Sequence, residues 1–287
     1  MPKVSVLTPI YNTNPKHLRE CIESILNQTF KDFEFLILND SPDNEEIESI
    51  VKEYAKQDKR VKYYKNEKNM GITPSRNKLL GLASGEYVAI FDHDDISVPD
   101  RLEKQVKYLD ENPYCGVVSG WLEYFGDDNR IQKNPEYDVS IKRMLTVGCY
   151  VAHTAAMIRK SVLIDNNIEY EEYYTPAEDY RLWQRLMEVT HFYNIQQVLV
   201  KYRWNQNNTS NVKNKEQLSA GYNIIMQIAN KYPVSYQEQK SMQEFSNKIR
   251  LFGFIPFLKI RNDKKYIKVY LFDFILLLKI KKRFCYD

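Results

Sequence analysis

The chain of 287 residues is short of glycine, with 9, and contains no G-x-G-x-x-G or G-x-x-x-x-G-K-[ST] string. A phosphate cradle made by a glycine-rich loop is therefore not expected, and any nucleotide must be held another way. Cysteine is scarce as well. Cys21, Cys115, Cys149 and Cys285 are widely spaced and form no C-x-x-C pair, which excludes a disulfide-rich fold, argues against zinc and suits reduced thiols in a cytoplasmic protein. Met1–Ile10 has one Lys and a seven-residue apolar-leaning run, too short for a signal peptide, so the sequons at Asn27, Asn207 and Asn208 are expected to stay unmodified. Hydrophobic residues make up 43% and charged residues 28% of the chain, a balance that rules out a disordered chain or a polytopic membrane protein. What is present in quantity is apolar material for one large α/β domain with an appendage.

Charge is unevenly placed. Residues 248–287 hold 11 Lys/Arg against 3 Asp/Glu, so this tail is +8 and residues 1–247 are −5, within a net charge of +3. The tail also repeats itself at an offset of 20 residues: Leu251–Arg261 reads LFGFIPFLKIR and Leu271–Lys281 reads LFDFILLLKIK. Neither apolar run attains the roughly 18–20 residues that cross a bilayer as a helix. Closely mixed aromatic and basic residues suit a segment at an anionic membrane surface, where each nearby Lys or Arg contributes about 1 kcal/mol. An amphipathic hairpin packed on the body or on a second subunit fits the same pattern; RNA binding fits it less well, and no nucleic-acid partner is expected.

Along residues 1–110 the hydrophobic period switches repeatedly between strand and helix. Val4–Ile10 is strand-like, and Leu18, Cys21, Ile22 and Ile25 follow at helical spacing. Phe33–Leu38 is followed by the stripe Ile47, Ile50, Val51 and Tyr54. Val61–Lys65 precedes a helix opening at Thr73-Pro74, with Pro74 at its first position. Tyr87–Phe91 ends in Asp92-His93-Asp94-Asp95, and Pro99 starts a helix carrying Leu102, Val106 and Leu109. Four β-α units predict an α/β fold, Rossmann-like, with a mostly parallel sheet, helices on both faces and right-handed crossovers. From Cys115 the alternation loosens into a longer strand to Phe125, a polar stretch from Gly126 to Asp138 and a strand over Ala155–Arg159, a half that looks inserted and substrate-specific. Helical spacing returns at Tyr180, Trp183, Leu186 and Met187, and between Asn214 and Lys231. Residues 1–215 are read as the globular domain and 216–287 as a helical extension ending in the basic, aromatic repeat.

In such sheets ligands bind beyond the strands' carboxyl ends, which focuses attention on the residues there. With 17 Asp in the chain, chance supplies about one D-x-D triplet, so the spacing of Asp92 and Asp94 says little by itself. Their place at the end of an apolar strand says more: three carboxylates delivered together repel unless a cation or hydrogen bonds offset them. A hard divalent ion with phosphate oxygens does this, as does capping of the next helix. Asp40, after the second strand, could accept from a base or ribose or shape the turn before Pro42. Arg76, in the first turns of its helix, could pair with a diphosphate or be an ordinary surface residue. Glu178 and Asp179 open a helix, where acidic residues complement the dipole, and a carboxylate there could also serve as a general base. His153 and Arg203 are further polar candidates.

Together these segments resemble the family 2 inverting glycosyltransferases of bacterial surface-polysaccharide assembly, which have the GT-A fold. Val4–Asn12 looks like that family's opening strand and nucleotide loop, Asn69–Asn77 like its N-x-G-x-x-x-x-R-N element, Asp92–Asp95 like its D-x-D-D, and Ala177–Trp183 like its E-D motif, over roughly residues 3–210. The resemblance implies that Pro9, Tyr11, Asp40, Arg76 and Asp92 bind the nucleotide, that Asp94 with Asp92 ligates Mg²⁺ or Mn²⁺, and that Asp179 is the general base with Glu178 supporting it. It places His153 and Arg203 on the acceptor side. It further implies a UDP-sugar donor, a lipooligosaccharide, capsular or other lipid-linked acceptor, and a cytoplasmic enzyme peripheral to the inner face of the membrane. Two departures stand out. Asn39-Asp40-Ser41-Pro42 replaces the family's D-D-G-S, and Asn205 stands where many members have a His after the Tyr-Arg pair, which leaves a third metal ligand unassigned. A catalytically silent nucleotide-sugar scaffold and a membrane-docking interaction protein are the alternative readings.

Overall fold

A computed structural model of the chain describes residues 1–206, 208–231, 258–262, 266–271 and 275–281. Strand β1 (Val4–Ile10) is buried along its whole length, as a parallel strand covered on both faces must be, and its two hydroxyls are paired: Ser5 donates to Glu34 and Thr8 to the Phe91 carbonyl. Helix α1 (Pro15–Leu26) starts where Asn14 accepts the backbone N–H groups of Lys16 and His17, with Pro15 in the first turn. Its buried stripe is Leu18, Cys21, Ile22 and Ile25. After β2 (Phe33–Asn39), helix α2 (Glu45–Gln57) is capped by Asn44, carries three Glu in its first turn and buries Ile47, Ile50, Val51 and Tyr54. Strand β3 (Val61–Lys65), helix α3 (Ile72–Leu82) and strand β4 (Tyr87–Ile90) complete the regular half. Helix α3 begins just before the sequence-predicted Thr73. Gly71, at φ 89°, makes the turn into it in a conformation that favours glycine.

The rest of the described body comprises β5 (Ile96–Ser97), α4 (Arg101–Glu111), β6 (Cys115–Gly126), β7 (Ile131–Gln132), α5 (Asp138–Leu145), β8 (Met157–Arg159), α6 (Lys160–Asp165), α7 (Glu178–Leu186), β9 (His191–Trp204), α8 (Thr209–Val212) and α9 (Asn214–Lys231). One nine-stranded sheet runs in the order β3-β2-β1-β4-β8-β6-β9-β5, with β7 beside β6. Strands β3, β2, β1 and β4 are parallel, as the β-α repeat predicted. Beyond β4 the sheet is mixed: β8 is antiparallel to both β4 and β6, β9 is parallel to β6, and β5 is antiparallel to β9. The later half is thus an extension of the same sheet, not a separate insert. The strand expected over Ala155–Arg159 is confined to β8, because His153–Ala155 coils as a 3₁₀ turn. The described cysteines Cys21, Cys115 and Cys149 are free.

Met1–Ile225 forms one compact unit and Met226–Asp287 a second. In the second, β10 (Leu258–Asn262), β11 (Tyr266–Leu271) and β12 (Ile275–Lys281) form an antiparallel sheet in that order. The register aligns Ile260, Val269 and Leu278 in one row, and Arg261, Lys268 and Lys279 in the adjacent row. Adjacent rows lie on opposite faces of a sheet. Residues 251–257 and 272–274 of the tail repeat lie outside the described residues. No described helix is long and apolar enough to cross a membrane.

Candidate active site

The chain passes from β1 to β2 and β3 on one side, then crosses to β4 on the other side of β1. The loops leaving β1 and β4 therefore diverge, and a crevice opens at the carboxyl ends of these two strands. Pro9 lies buried in the last part of β1, and Tyr11, half-exposed, begins the loop that follows. On the β4 side the crevice is bordered by Asp92-His93-Asp94-Asp95.

This acid loop is held from behind. Asp95 is fully buried; one of its oxygens accepts from Thr154 Oγ1 at 2.8 Å and the other from the Arg203 backbone N–H at 2.9 Å. Burial, with the charges of Asp94 and Asp92, pushes the Asp95 carboxyl well above the ordinary range, against the pull of those two hydrogen bonds. The Asp92 N–H donates to the same Thr154 hydroxyl at 3.1 Å. Behind the loop the fully buried Arg101 donates to the Ile90 and Ala156 carbonyls, and burial lowers its pKa to about 9, which leaves it charged at neutral pH. The carboxylate of Asp94 and the second oxygen of Asp92 accept no hydrogen bond from any described residue.

Arg76 joins the acid loop to the start of α7. Buried at 9% exposure, it donates through Nη1 to Glu178 at 2.5 Å and through Nη2 to Asp92 at 3.2 Å, with its guanidinium 5.6 Å from the Tyr170 ring centre. Burial opposes its charge, yet Glu178 and Asp92 outweigh burial and hold its pKa above the ordinary arginine range. Its Nε and the second oxygen of Glu178 are buried without partners, so the ion pair has spare polar capacity. Next to it, Asp179 accepts the Tyr180 N–H at 2.7 Å. Burial, reinforced by the charge of Glu178 and opposed by Arg76, pushes the Asp179 carboxyl up to about 6. A carboxylate of that strength, beside Glu178 and within the field of Asp92, can take a proton near neutral pH.

The other candidates are distributed around this centre. The Asp40 oxygens are occupied by the loop before α3: Asn66 Nδ2 at 2.7 Å, and the N–H groups of Met70 and Gly71 at 2.8 Å each. His153 pairs with the Tyr170 hydroxyl at 2.8 Å and lies beside Trp183. Burial and then the Arg76 charge lower its pKa well below the usual histidine value, which keeps it neutral. Arg203, expected on the acceptor side, donates to the Asp94 carbonyl and to Glu20. Three contributors had no signal in sequence. Thr154 is next to a singled-out His but has a common residue type; Glu20 belongs to the polar face of an amphipathic helix; Tyr170, which exchanges two hydrogen bonds with Asn77 through its backbone, sits in an irregular stretch.

Among the described residues no group of three His, Cys, Asp or Glu side chains could hold a metal ion. Asp92 and Asp94 supply two hard oxygen donors, a set that suits Mg²⁺ or Mn²⁺ when substrate phosphates and water complete the shell.

Comparison with known proteins bears on this geometry. The model of glycosyl transferase family 2 matches residues 5–166. An uncharacterized glycosyltransferase of Methanocaldococcus jannaschii is 37% identical over 236 residues, 80% of this chain and 81% of that protein. The amylovoran biosynthesis glycosyltransferase AmsE of Erwinia amylovora is 30% identical over 204 residues, 69% and 75% of the two chains. The fold is similar to that of residues 1–349 of TarS from S. aureus in complex with UDP-GlcNAc, with a TM-score of 0.67 and 21% identity, covering 86% of this chain and 72% of that one. An acid loop and an acidic helix start, brought to one crevice at the switch point of an α/β sheet, agree with these likenesses: the chain belongs to glycosyl transferase family 2 and is a glycosyltransferase of the GT-A fold.

Proposed function

We propose that the protein is an inverting, metal-dependent glycosyltransferase that moves a sugar from a UDP-sugar to a hydroxyl of a growing glycan, with Asp179 as general base. The observation that carries the reading is the Arg76 bridge, which puts Asp92 and Glu178 on one guanidinium although 86 residues separate them in the chain. Asp94 and Asp92 would hold Mg²⁺ or Mn²⁺, which when bound supplies positive charge to the departing diphosphate. Pro9 and Tyr11 border the place for the nucleotide, and Asp40 fixes the loop that precedes Arg76. Asp179 takes the proton of the acceptor hydroxyl as its oxygen bonds to the anomeric carbon. The bond from that carbon to the diphosphate breaks on the opposite face, with its electron pair leaving on the nucleoside diphosphate. One base suffices, because no glycosyl-enzyme intermediate forms. The Tyr180 N–H orients Asp179, and burial with the Glu178 charge, opposed by Arg76, holds its pKa near working pH.

The UDP-GlcNAc bound to the structurally similar protein favours a uridine donor, and the amylovoran role of a relative favours a polysaccharide acceptor. The basic tail supports placement at the cytoplasmic face of a membrane, where a lipid-linked acceptor would be found. Nucleotide release measured across UDP-, GDP-, CMP- and dTDP-sugars tests the reading. One donor class should turn over, and Asp179→Asn should lower the rate by about 10²–10⁴-fold. Unchanged turnover in Asp179→Asn would remove that residue from the mechanism, and no turnover of any donor would favour a silent scaffold.

A further inference from the structure

The Asp94 carboxylate is free to meet a cation only if its backbone is held still, and the holding runs through Arg203, 109 residues later in the chain. Arg203 Nε donates to the Asp94 carbonyl at 2.8 Å. The Arg203 backbone N–H takes one oxygen of Asp95. Its guanidinium lies 4.4 Å from the Phe125 ring centre. Its remaining reach is fixed at the far end by Glu20, whose Oε2 accepts from Nη2 at 2.6 Å. The Arg203 side chain is 13% exposed and that of Glu20 33% exposed, so this pair is shielded more than an open surface pair. Glu20 belongs to α1, the helix that directly follows the Tyr11–Asn14 loop.

We propose that Glu20 is a positioning residue for divalent cation binding: by anchoring Arg203 it fixes the Asp94 carbonyl and keeps the guanidinium off the Asp94 carboxylate. The inference rests on the reading above, in which Asp94 and Asp92 take the cation. Its physical basis is a competition. Arginine has five N–H donors and a flexible stem, and it seeks carboxylate oxygens in pairs. With Glu20 in place, one side of the fork is committed to α1. Without that charge, the freed donors are left on a residue whose Nε already holds the Asp94 carbonyl; the carboxylate of that same Asp94 accepts no hydrogen bond from a described residue, and an Arg203–Asp94 pair would occupy the oxygens that a cation needs. The same link ties the helix after the nucleotide loop to the metal loop, so the two parts of the donor site share one anchor.

The test measures Mn²⁺ binding directly, from the paramagnetic resonance signal of free Mn²⁺ titrated with the full-length protein plus UDP. Glu20→Gln is compared with Glu53→Gln, which removes the exposed Arg19–Glu53 pair at 2.8 Å, anchored on the same helix through Arg19, and serves as the control. Glu20→Gln should weaken Mn²⁺ binding about tenfold, as loss of an outer-shell partner does, and raise half-saturating Mn²⁺ for turnover by a similar factor. kcat at saturating Mn²⁺ should stay within about twofold, since the loss of such a partner is felt here as affinity for the ion. Arg203→Lys, which keeps the charge but not the fork, should weaken binding as well. Unchanged Mn²⁺ binding in Glu20→Gln, or an equal loss in Glu53→Gln, overturns the proposal while leaving the cation site intact. Absence of Mn²⁺ binding by the unmodified protein with UDP overturns the cation reading itself, and the inference with it.

Discussion

On one flank of the sheet, β1 to β4 are short parallel strands joined by helices, of which α1 and α2 bury regular apolar stripes. On the other, β6 and β9 are 12 and 14 residues long, pair with register shifts near Gly120–Leu122, and are separated in sequence by turns, short helices and the E-D helix. The first flank contributes strand ends, the loops that leave them and the side chains those loops and α3 carry, Asp40, Arg76, Asp92 and Asp94. The second contributes single side chains, Thr154, Glu178 and Arg203, each of which reaches across to the acid loop or to Arg76. Regular packing therefore fixes where the crevice lies, and long-range polar contacts decide what it can do.

Cutting the connection between the flanks should have the largest effect. Arg76→Met leaves Glu178, 6% exposed, without its counter-charge, and breaking a buried pair from one side costs about 3–5 kcal/mol. A fall in denaturant midpoint together with loss of turnover is expected; a variant as stable as the parent would show that the bridge contributes little. Removing packing from the regular flank should separate stability from chemistry. Ile22→Ala, at a fully buried position of α1, should lose about 2–5 kcal/mol yet keep the metal dependence and pH profile of the folded fraction. A changed profile would mean that the core of this flank also tunes the site.

The same division explains how much could be read from residues alone. The β-α repeat was legible because burial on both faces of a parallel sheet demands long apolar runs, and helices covering it need 3.6-residue stripes. The strand His191–Trp204 was not, since its register shifts against β6 break the two-residue alternation that marks a strand. The acid loop and the E-D helix start were visible as motifs, but nothing in spacing indicates that Arg76 would join them. Asp40 illustrates the limit from the other side: its position after β2 suited a ribose or a turn, and in the structure its oxygens bind the Asn66–Gly71 loop. Arg203 was visible only as a polar candidate, and no spacing indicated that it would contact Asp94, Asp95 and Glu20.

A finer prediction concerns proton affinity in the second flank. Asp179 has a carboxyl pushed up to about 6, so the rate should rise with pH through about 6 and level off above it as the base ionises. Glu178 is the largest charge raising that pKa after burial, and Arg76 opposes it. Glu178→Gln removes the first and frees the second, and both changes have the same sign: the rising limb should move to lower pH. An unmoved limb in a pH–rate profile would assign the titration elsewhere. The linked stability effect follows, because a carboxyl that binds its proton more tightly when folded contributes most below its ordinary pKa of 3.8. That contribution is lost as pH rises through about 6.

The smallest effect on catalysis is expected from the tail, and it marks the outer boundary of the comparison. If residues 248–287 serve as a surface anchor, deleting them should lower binding to vesicles of anionic lipid while turnover on a soluble acceptor stays within about twofold, because binding to a surface adds no group to the crevice. Charge and apolar contact can be separated without deletion. Arg261, Lys268 and Lys279 share one register row of the antiparallel sheet, and changing all three to Gln should remove about 3 kcal/mol of attraction if each meets anionic headgroups. Salt gives an independent check, since the screening length falls from about 10 Å at 0.1 M to about 3 Å at 1 M. Vesicle binding that survives both the triple substitution and high salt would leave apolar contact as its source, and vesicle binding that survives the deletion would leave the tail a packing or dimerisation role.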